Sequence, residues 1–325
     1  MITLDRRMFV GALGAAGLGS LLGGCGGAQT EAASTPFFER IGKPIGLQLY
    51  ALVGQDPVAD PAALFAQVAA MGYGEIELPN LLGQEPAALK AAADAAGLPI
   101  ASLHVPAVPF APGDGLTFQH DPDEVAAIAA TLGGGQLVIP FPVLPDGFSL
   151  NAGEDFPSAI ARAFAGATLE HWQATAQRFN AIGQAMKDRG VTVAYHNHNL
   201  EFAPLGETTA WQVLLSETDP EHLKLQLDLG WVAQAGLDPE TVMREAGSRV
   251  TSLHVKDVAE GGAQSFYFGA TPTEVGAGRL DWAAILPAAE ELGVAHYFVE
   301  QEPPFAIPRE EAMQRSVDFL RNLVA

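Results

Sequence analysis

The sequence predicts a closed (β/α)8 barrel, the TIM barrel architecture. Three observations lead there. Strand-like and helix-like segments alternate from residue 41 to the end of the chain. Helix after helix opens on Asp-Pro or a lone Pro and closes on Gly, as at Asp60-Pro61 and Gly72. Polar and aliphatic residues alternate along seven of the strands, as in a sheet with two different faces. About 290 residues in eight strand–helix pairs suit this barrel, which typically takes ~250. An open doubly wound sheet is the alternative. No dinucleotide fingerprint favours it, because Gly133-Gly134-Gly135 precedes a strand instead of following one.

The elements follow in order. Residues 45–50 read as the first strand, and a helix then runs from Asp60-Pro61 to Gly72. Residues 73–79 form strand two, 86–96 a helix closed by Gly97, and 99–105 strand three. Asp121-Pro122 opens a helix that ends at Gly133, before strand four at 136–141. A long segment, 142–166, follows on the side where such barrels place their active sites, and it carries Phe148 and Phe156. The remaining pairs are a helix over 168–189 after that segment, strand five at 191–198 and a helix over 208–216. Strand six at 223–229 leads to a helix from Asp238-Pro239 to Gly247. Strand seven at 250–256 leads to a helix over 281–292, and strand eight at 296–301 to a helix over 309–323.

Composition narrows the function classes. The 325 residues include 17 Lys+Arg and 38 Asp+Glu, a net charge of −21. Binding a phosphate backbone needs clustered cations, so nucleic acid is not the expected partner. A hydrophobic fraction of 48% is enough for a large core. The single cysteine, Cys25, allows neither an internal disulfide nor a cysteine-type zinc site.

Residues 1–35 read as a targeting segment and tether, and 36–325 as one catalytic domain. Arg6-Arg7 precede a short Gly/Ala-rich apolar run that ends at Leu22-Gly23-Gly24-Cys25. The run is too short and glycine-rich to span a bilayer and reads as a twin-arginine export signal. Cys25 in that box is the expected lipidation site, giving a periplasmic lipoprotein anchored only by acyl chains.

Side-chain parity carries the functional signal. Residues two apart on a strand share a face, and the aliphatic face must meet the helices. The polar face therefore meets the lumen near the strand C-termini, above a middle expected to be apolar. That face holds Gln48 and Tyr50, Glu75 and Glu77, Ser102 and His104, and His196 and His198. It continues with Gln226 and Asp228, then Ser252, His254 and Lys256, and finally Glu300 and Glu302. So many ionisable groups in one cup need partners or a metal. His196, His198, His254, Asp228 and Glu300 offer mixed nitrogen and oxygen ligation to one divalent ion, with Mn, Fe, Co, Zn and Mg all possible.

These residues lie in motifs that resemble the xylose-isomerase-like barrel superfamily, specifically its exported sugar phosphate isomerase/epimerase branch. The motifs are Gly46-Leu47-Gln48-Leu49-Tyr50, Tyr195-His196-Asn197-His198-Asn199-Leu200-Glu201-Phe202 and Asp228-Leu229-Gly230-Trp231. His254-Val255-Lys256-Asp257, Val275-Gly276-Ala277-Gly278-Arg279-Leu280-Asp281-Trp282 and Val299-Glu300-Gln301-Glu302 complete the set. The resemblance implies a metal held by Glu, Asp, His and Glu from the late strands. Asp228, His254 and Glu300 match the last three, but His196 stands where the first Glu falls. Either His196 ligates, which its place on the strand favours, or Glu201 reaches back from the loop.

The resemblance further implies proton movement on the carbon next to a sugar carbonyl, with a metal-stabilised enediolate. Glu300 is the expected base on one side, and Glu201, His198 or Glu77 on the other, with Lys256 balancing developing charge. Gln48, Tyr50, Glu77, His104, Trp231 and Glu302 are expected to contact the substrate, Trp231 as a platform for a sugar ring. Export favours an unphosphorylated sugar, keto-sugar or glycoside, and the Val275–Arg279 loop is either a phosphate grip or a plain tight turn. Lyase or hydrolase action on 3-keto-glycosides is an alternative. A non-catalytic sugar-binding lipoprotein and a relative of the abasic-site endonucleases are the other classes, and acidity and export oppose the latter.

Overall fold

The computed structural model describes residues 35–110, 115–149 and 151–325. Arg6, Arg7 and Cys25 lie outside them, and so does the expected lipid anchor. Eight parallel strands close into a barrel. They are β1 (Gly46–Gln48), β2 (Glu75–Leu78), β3 (Ile100–His104), β4 (Gln136–Ile139), β5 (Val193–His196), β6 (Lys224–Asp228), β7 (Val250–Val255) and β8 (His296–Val299). Each pairs with its sequence neighbours, and β1 pairs with β8 through Gly46↔Phe298 and Leu47↔Val299 to close the ring.

The capping logic holds in detail. Asp60, Asp121, Asp155, Asp238 and Asp281 each accept a backbone N–H two or three residues on, so each helix start has a partner for an otherwise unmatched donor. The outward faces of the strands are aliphatic: Leu47, Ile76, Leu103, Leu225, Leu227, Leu253 and Val255 are buried in one core with the helices. No helix among the described residues is long and apolar enough to cross a membrane.

Four expectations change. The first strand ends at Gln48, and Tyr50 opens a short helix, Tyr50–Val53. Segment 142–166 contains a helix, Phe156–Phe164, capped by Asp155 and tied down by Arg162 on Glu154 at 2.9 Å. The helix expected at 208–216 is Ala210–Glu217, because Thr209 and Gln212 form a reciprocal capping box that fixes its start. The middle of the barrel is not apolar. Gln136 donates to Ser252 at 2.9 Å, Thr251 donates to Gln136 at 2.6 Å, and Ser102 is buried beside them. Phe298, level with His254 in the register and so nearer the C-terminal end than this layer, fills the lumen against Gly46, where a Cβ would stand 2.5 Å from its ring.

Candidate active site

The C-terminal ends of the strands carry the polar face into one cup, and Glu77 sits at its base. The register sets Gln48 level with Glu77, His196 with Gln226, and Asp228 with His254. Glu77 Oε1 accepts from Gln48 Nε2 at 2.6 Å and lies 2.7 Å from His254 Nε2 and 3.0 Å from His104 Nε2. Its Oε2 accepts from Gln226 Nε2 at 2.5 Å. Burial alone would raise the Glu77 pKa, but His104 and His254 outweigh it and hold the carboxyl well below the usual range.

Above Glu77, His196, Asp228 and His254 bring one ligand atom each to within 4.8 Å of one another. Glu77, His104 and His254 form a second compact group, but its atoms bond to each other. The first group differs. Nδ1 of His196, Nδ1 of His254 and Oδ2 of Asp228 are buried and make no close hydrogen bond among the described residues, the nearest approaches being His254 Nδ1 to Asp228 Oδ2 at 3.5 Å and Lys256 to Asp228 Oδ2 at 3.6 Å. Against its burial, Glu77 and Asp228 raise the His254 pKa to about 10, so without a cation the imidazole is protonated at neutral pH; a cation among these three residues would take the place of that proton. Glu77 on the far nitrogen of His254 supplies the carboxylate support that metal-binding imidazoles usually have. Asp228 divides its work: Oδ1 accepts from Trp231 N at 2.8 Å and caps helix Leu229–Gln234, while Oδ2 faces the cup. Asn197 fixes this strand end by accepting from Asp228 N at 2.9 Å.

Lys256 closes the other side. It lies 2.8 Å from Glu300, 3.0 Å from Glu302 and 3.6 Å from Asp228, and stands 4.3 Å over the Trp231 ring. Burial would favour neutral lysine, but the three carboxylates outweigh it and raise its pKa. The Tyr50 phenol is raised by burial and then by Glu302 and Glu300, which puts Tyr50 on this acidic side. His198 lies on the opposite, aromatic side against Phe141, Phe268 and Trp231, with ring centroids 5.0, 5.4 and 5.7 Å away. Burial, then Lys256, lowers its pKa to about 3, so the imidazole is neutral at pH 7.

Several expected residues take other places. Glu201 turns away from the cup. Tyr195, which packs on Phe179 of the helix layer, donates to Glu201 Oε1, and His198 N donates to Oε2 at 3.0 Å. The geometry therefore groups His196, not Glu201, with Asp228 and His254. Glu300 is engaged by Lys256 and stands outside that group. Trp231 is only 2% exposed, and its face is covered by Lys256, so it is not an open platform. The Val275–Arg279 loop is no phosphate grip: Gly276 N and Gly278 N both donate to Asp257 Oδ2, and Arg279 donates to Ala233 O. Gln226, on the lumen face by parity with Asp228, takes the further role of holding Glu77. Asn197 and Asn199 join the site without any sequence signal, because loop asparagines follow no strand period.

The profile of the xylose isomerase-like TIM barrel family matches residues 65–323, and the chain belongs to that family. Among curated relatives, inosose dehydratase of Lacticaseibacillus casei is 28% identical over 162 residues, 45% of this chain and 53% of that protein. Inosose dehydratase of Clostridium tetani is 32% identical over 95 residues, 29% of this chain and 30% of that protein. The chain spans about half the length of the first of these, and less of the second. Among solved structures, a sugar phosphate isomerase/epimerase from Parabacteroides distasonis superposes with a TM-score of 0.66 at 23% identity, covering 86% of this chain and 94% of that one. The 3-keto-D-glucoside 4-epimerase from E. coli superposes at 0.60 with 16% identity, covering 86% and 100%. At these identities the structural likeness shows the shared fold.

Proposed function

We propose that this protein binds one divalent cation between His196, Asp228 and His254 and moves a proton on the carbon next to a carbonyl of a small sugar-like substrate. The observation that carries the reading is the convergence of one buried ligand atom from each of those three residues within 4.8 Å, supported from behind by Glu77. A bound ion would supply Lewis-acid polarisation of the carbonyl. Glu300 is the base of this reading. It takes the proton from carbon, the electron pair moves into the carbonyl, and Lys256 at 2.8 Å balances the added charge. Neutral His198 is available to exchange a proton on the aromatic side. Return of a proton to the other face gives an epimer; return to the former carbonyl carbon, with a hydroxyl proton passing between the two oxygens, gives an isomer; and loss of a β-hydroxyl as water, carrying the proton taken from carbon, gives dehydration. The relatives named above include both a dehydratase and an epimerase, and a single first step of this kind can lead to either outcome.

The test is incubation of the metal-loaded enzyme with keto-sugars and inososes in deuterated water. Deuterium next to the carbonyl is expected in wild type and absent from Glu300→Gln, which should retain its metal. Asp228→Ala should lose both metal and exchange. Full exchange by metal-free protein would sink the metal part of the reading. We also propose export by the twin-arginine route with lipidation at Cys25, on the strength of Arg6-Arg7 and the Leu22–Cys25 box. Cell fractionation of an Arg6→Lys, Arg7→Lys double variant should leave the protein in the cytoplasm.

A further inference from the structure

Loops from three strand ends build an aromatic wall on the His198 side of the cup. Phe141, after β4, contacts His198 at 5.0 Å and stacks on Phe268 at 6.1 Å with an interplanar angle of 8°. Phe156 stands 6.4 Å from both Phe141 and Phe268, and it is 43% exposed. Phe268 meets Trp231 edge-on at 5.5 Å. Phe110, 39% exposed, meets Phe141 at 5.8 Å on the same wall, so the exposed phenylalanines form one patch, and a contiguous apolar patch at the rim of a polar cup points to a binding surface.

The backbone of Phe268 adds a second, independent observation. Its φ is 56°, a left-handed conformation that costs a bulky residue about 1–3 kcal/mol. Asn199, fully buried, imposes it: Oδ1 accepts from Phe268 N at 3.0 Å, and Nδ2 donates to Phe268 O at 3.1 Å and Ser265 O at 2.9 Å. Ser265 Oγ donates to Phe268 O at 2.6 Å. The fold thus holds an unfavourable backbone conformation at the residue whose ring faces His198, Phe141 and Trp231.

We propose that Phe268, Phe141 and Phe156 form a subsite for a second ring carried by the substrate. The molecule in the cup is then a glycoside, and the ring attached to its reacting sugar stacks an apolar face on this wall. The proposal rests on the reading of the cup as a carbonyl-sugar site, since the wall adjoins it. Asn199 is a positioning residue, acting through Phe268. The attached ring is either a second sugar or an aryl group, both of which offer an apolar face to a phenyl ring.

Calorimetric titration of the full chain with phenyl β-D-glucopyranoside, cellobiose and D-glucose tests this without requiring turnover. Aromatic contacts of this kind predict about tenfold tighter binding of at least one two-ring ligand than of glucose. The better of phenyl glucoside and cellobiose tells aryl from sugar. Phe268→Ala and Phe156→Ala should bring the ratio close to one, Phe268→Tyr should retain it, and Asn199→Ala should lower it like Phe268→Ala. Phe156 is exposed, so its truncation leaves the core intact. Equal binding of glucose and both two-ring ligands, an unchanged ratio in both alanine variants, or no binding of any ligand overturns the subsite. Failure of the deuterium exchange alone would instead overturn the proton-transfer reading.

Discussion

Glu77 joins four other strands through one carboxylate, accepting from Gln48, His104, Gln226 and His254. Glu77→Gln would replace an acceptor by an NH2 group facing donors, leaving buried groups unmatched. The expected cost is about 2–4 kcal/mol, read as a lower denaturation midpoint at unchanged denaturant slope. Glu201 behaves differently. Burial pushes its pKa to about 7, against the opposing hydrogen bonds from Tyr195 and His198 N. The folded state therefore prefers the protonated acid. That contribution is complete below the ordinary value of 4.5 and is lost as pH rises through about 7. Relative to Glu201→Gln, which does not titrate, wild type should lose up to about 3 kcal/mol of stability between pH 4.5 and 8. Parallel melts of the two proteins across that range would show it, and a pH-independent difference would refute it.

At the scale of elements, Asp257 organises the loop between β7 and the helix Trp282–Glu291. Its Oδ2 accepts from Gly276 N, Gly278 N and Trp282 Nε1, and its Oδ1 from Val258 N and Leu280 N. Gly278 has no alternative here, because a Cβ would stand 2.1 Å from Asp257 Oδ1. Asp257→Ala should free five donors, destabilise the protein by about 3–5 kcal/mol and speed amide exchange over residues 274–282 first. Uniform exchange across the barrel in that variant would show that the loop is not a separate unit. This loop also shows where sequence reading ran short. Its glycines suggested an anion site, yet the anion is a carboxylate of the chain itself. Only the distance from Asp257 to the backbone, invisible in a one-dimensional pattern, separates the two readings.

Across the whole molecule, what was legible in the sequence followed regular periods. Parity along strands placed Gln48, Glu77, His196, Asp228, His254 and Lys256 in one lumen, and Asp/Pro starts with Gly ends located the helices. Residues off that period were harder. Glu201 shares a motif with His196 and His198 but lies in a short turn, Leu200–Phe202, that carries it back towards Tyr195. Phe268 belongs to a long loop whose course depends on Asn199, 69 residues away. If the proposed cation is bound, the entire barrel should feel it, because His196, Asp228 and His254 come from three adjacent strands, β5, β6 and β7. A ligand specific to the folded state stabilises it by mass action, about 2.7 kcal/mol at a hundredfold excess over Kd. Chelator treatment should accordingly lower the melting temperature by several degrees, and readdition of Mn or Zn should restore it. An unchanged melt on complete removal of metal would argue against the site.

Asp228 has a consequence for observation as well as for chemistry. One oxygen holds the N-terminus of the helix that bears Trp231, while the other faces the cup and lies 3.6 Å from Lys256, whose ammonium stands over the Trp231 indole. A cation drawn to Asp228 shifts the charge felt by that ammonium, and with it the electrostatic environment of a buried indole. Under the proposed reading, the Trp231 indole would act as an optical reporter of site occupancy. Titration with a divalent ion should change the intrinsic tryptophan emission in wild type. In Trp231→Phe the change should vanish, with Trp172, Trp211 and Trp282 left as a constant background.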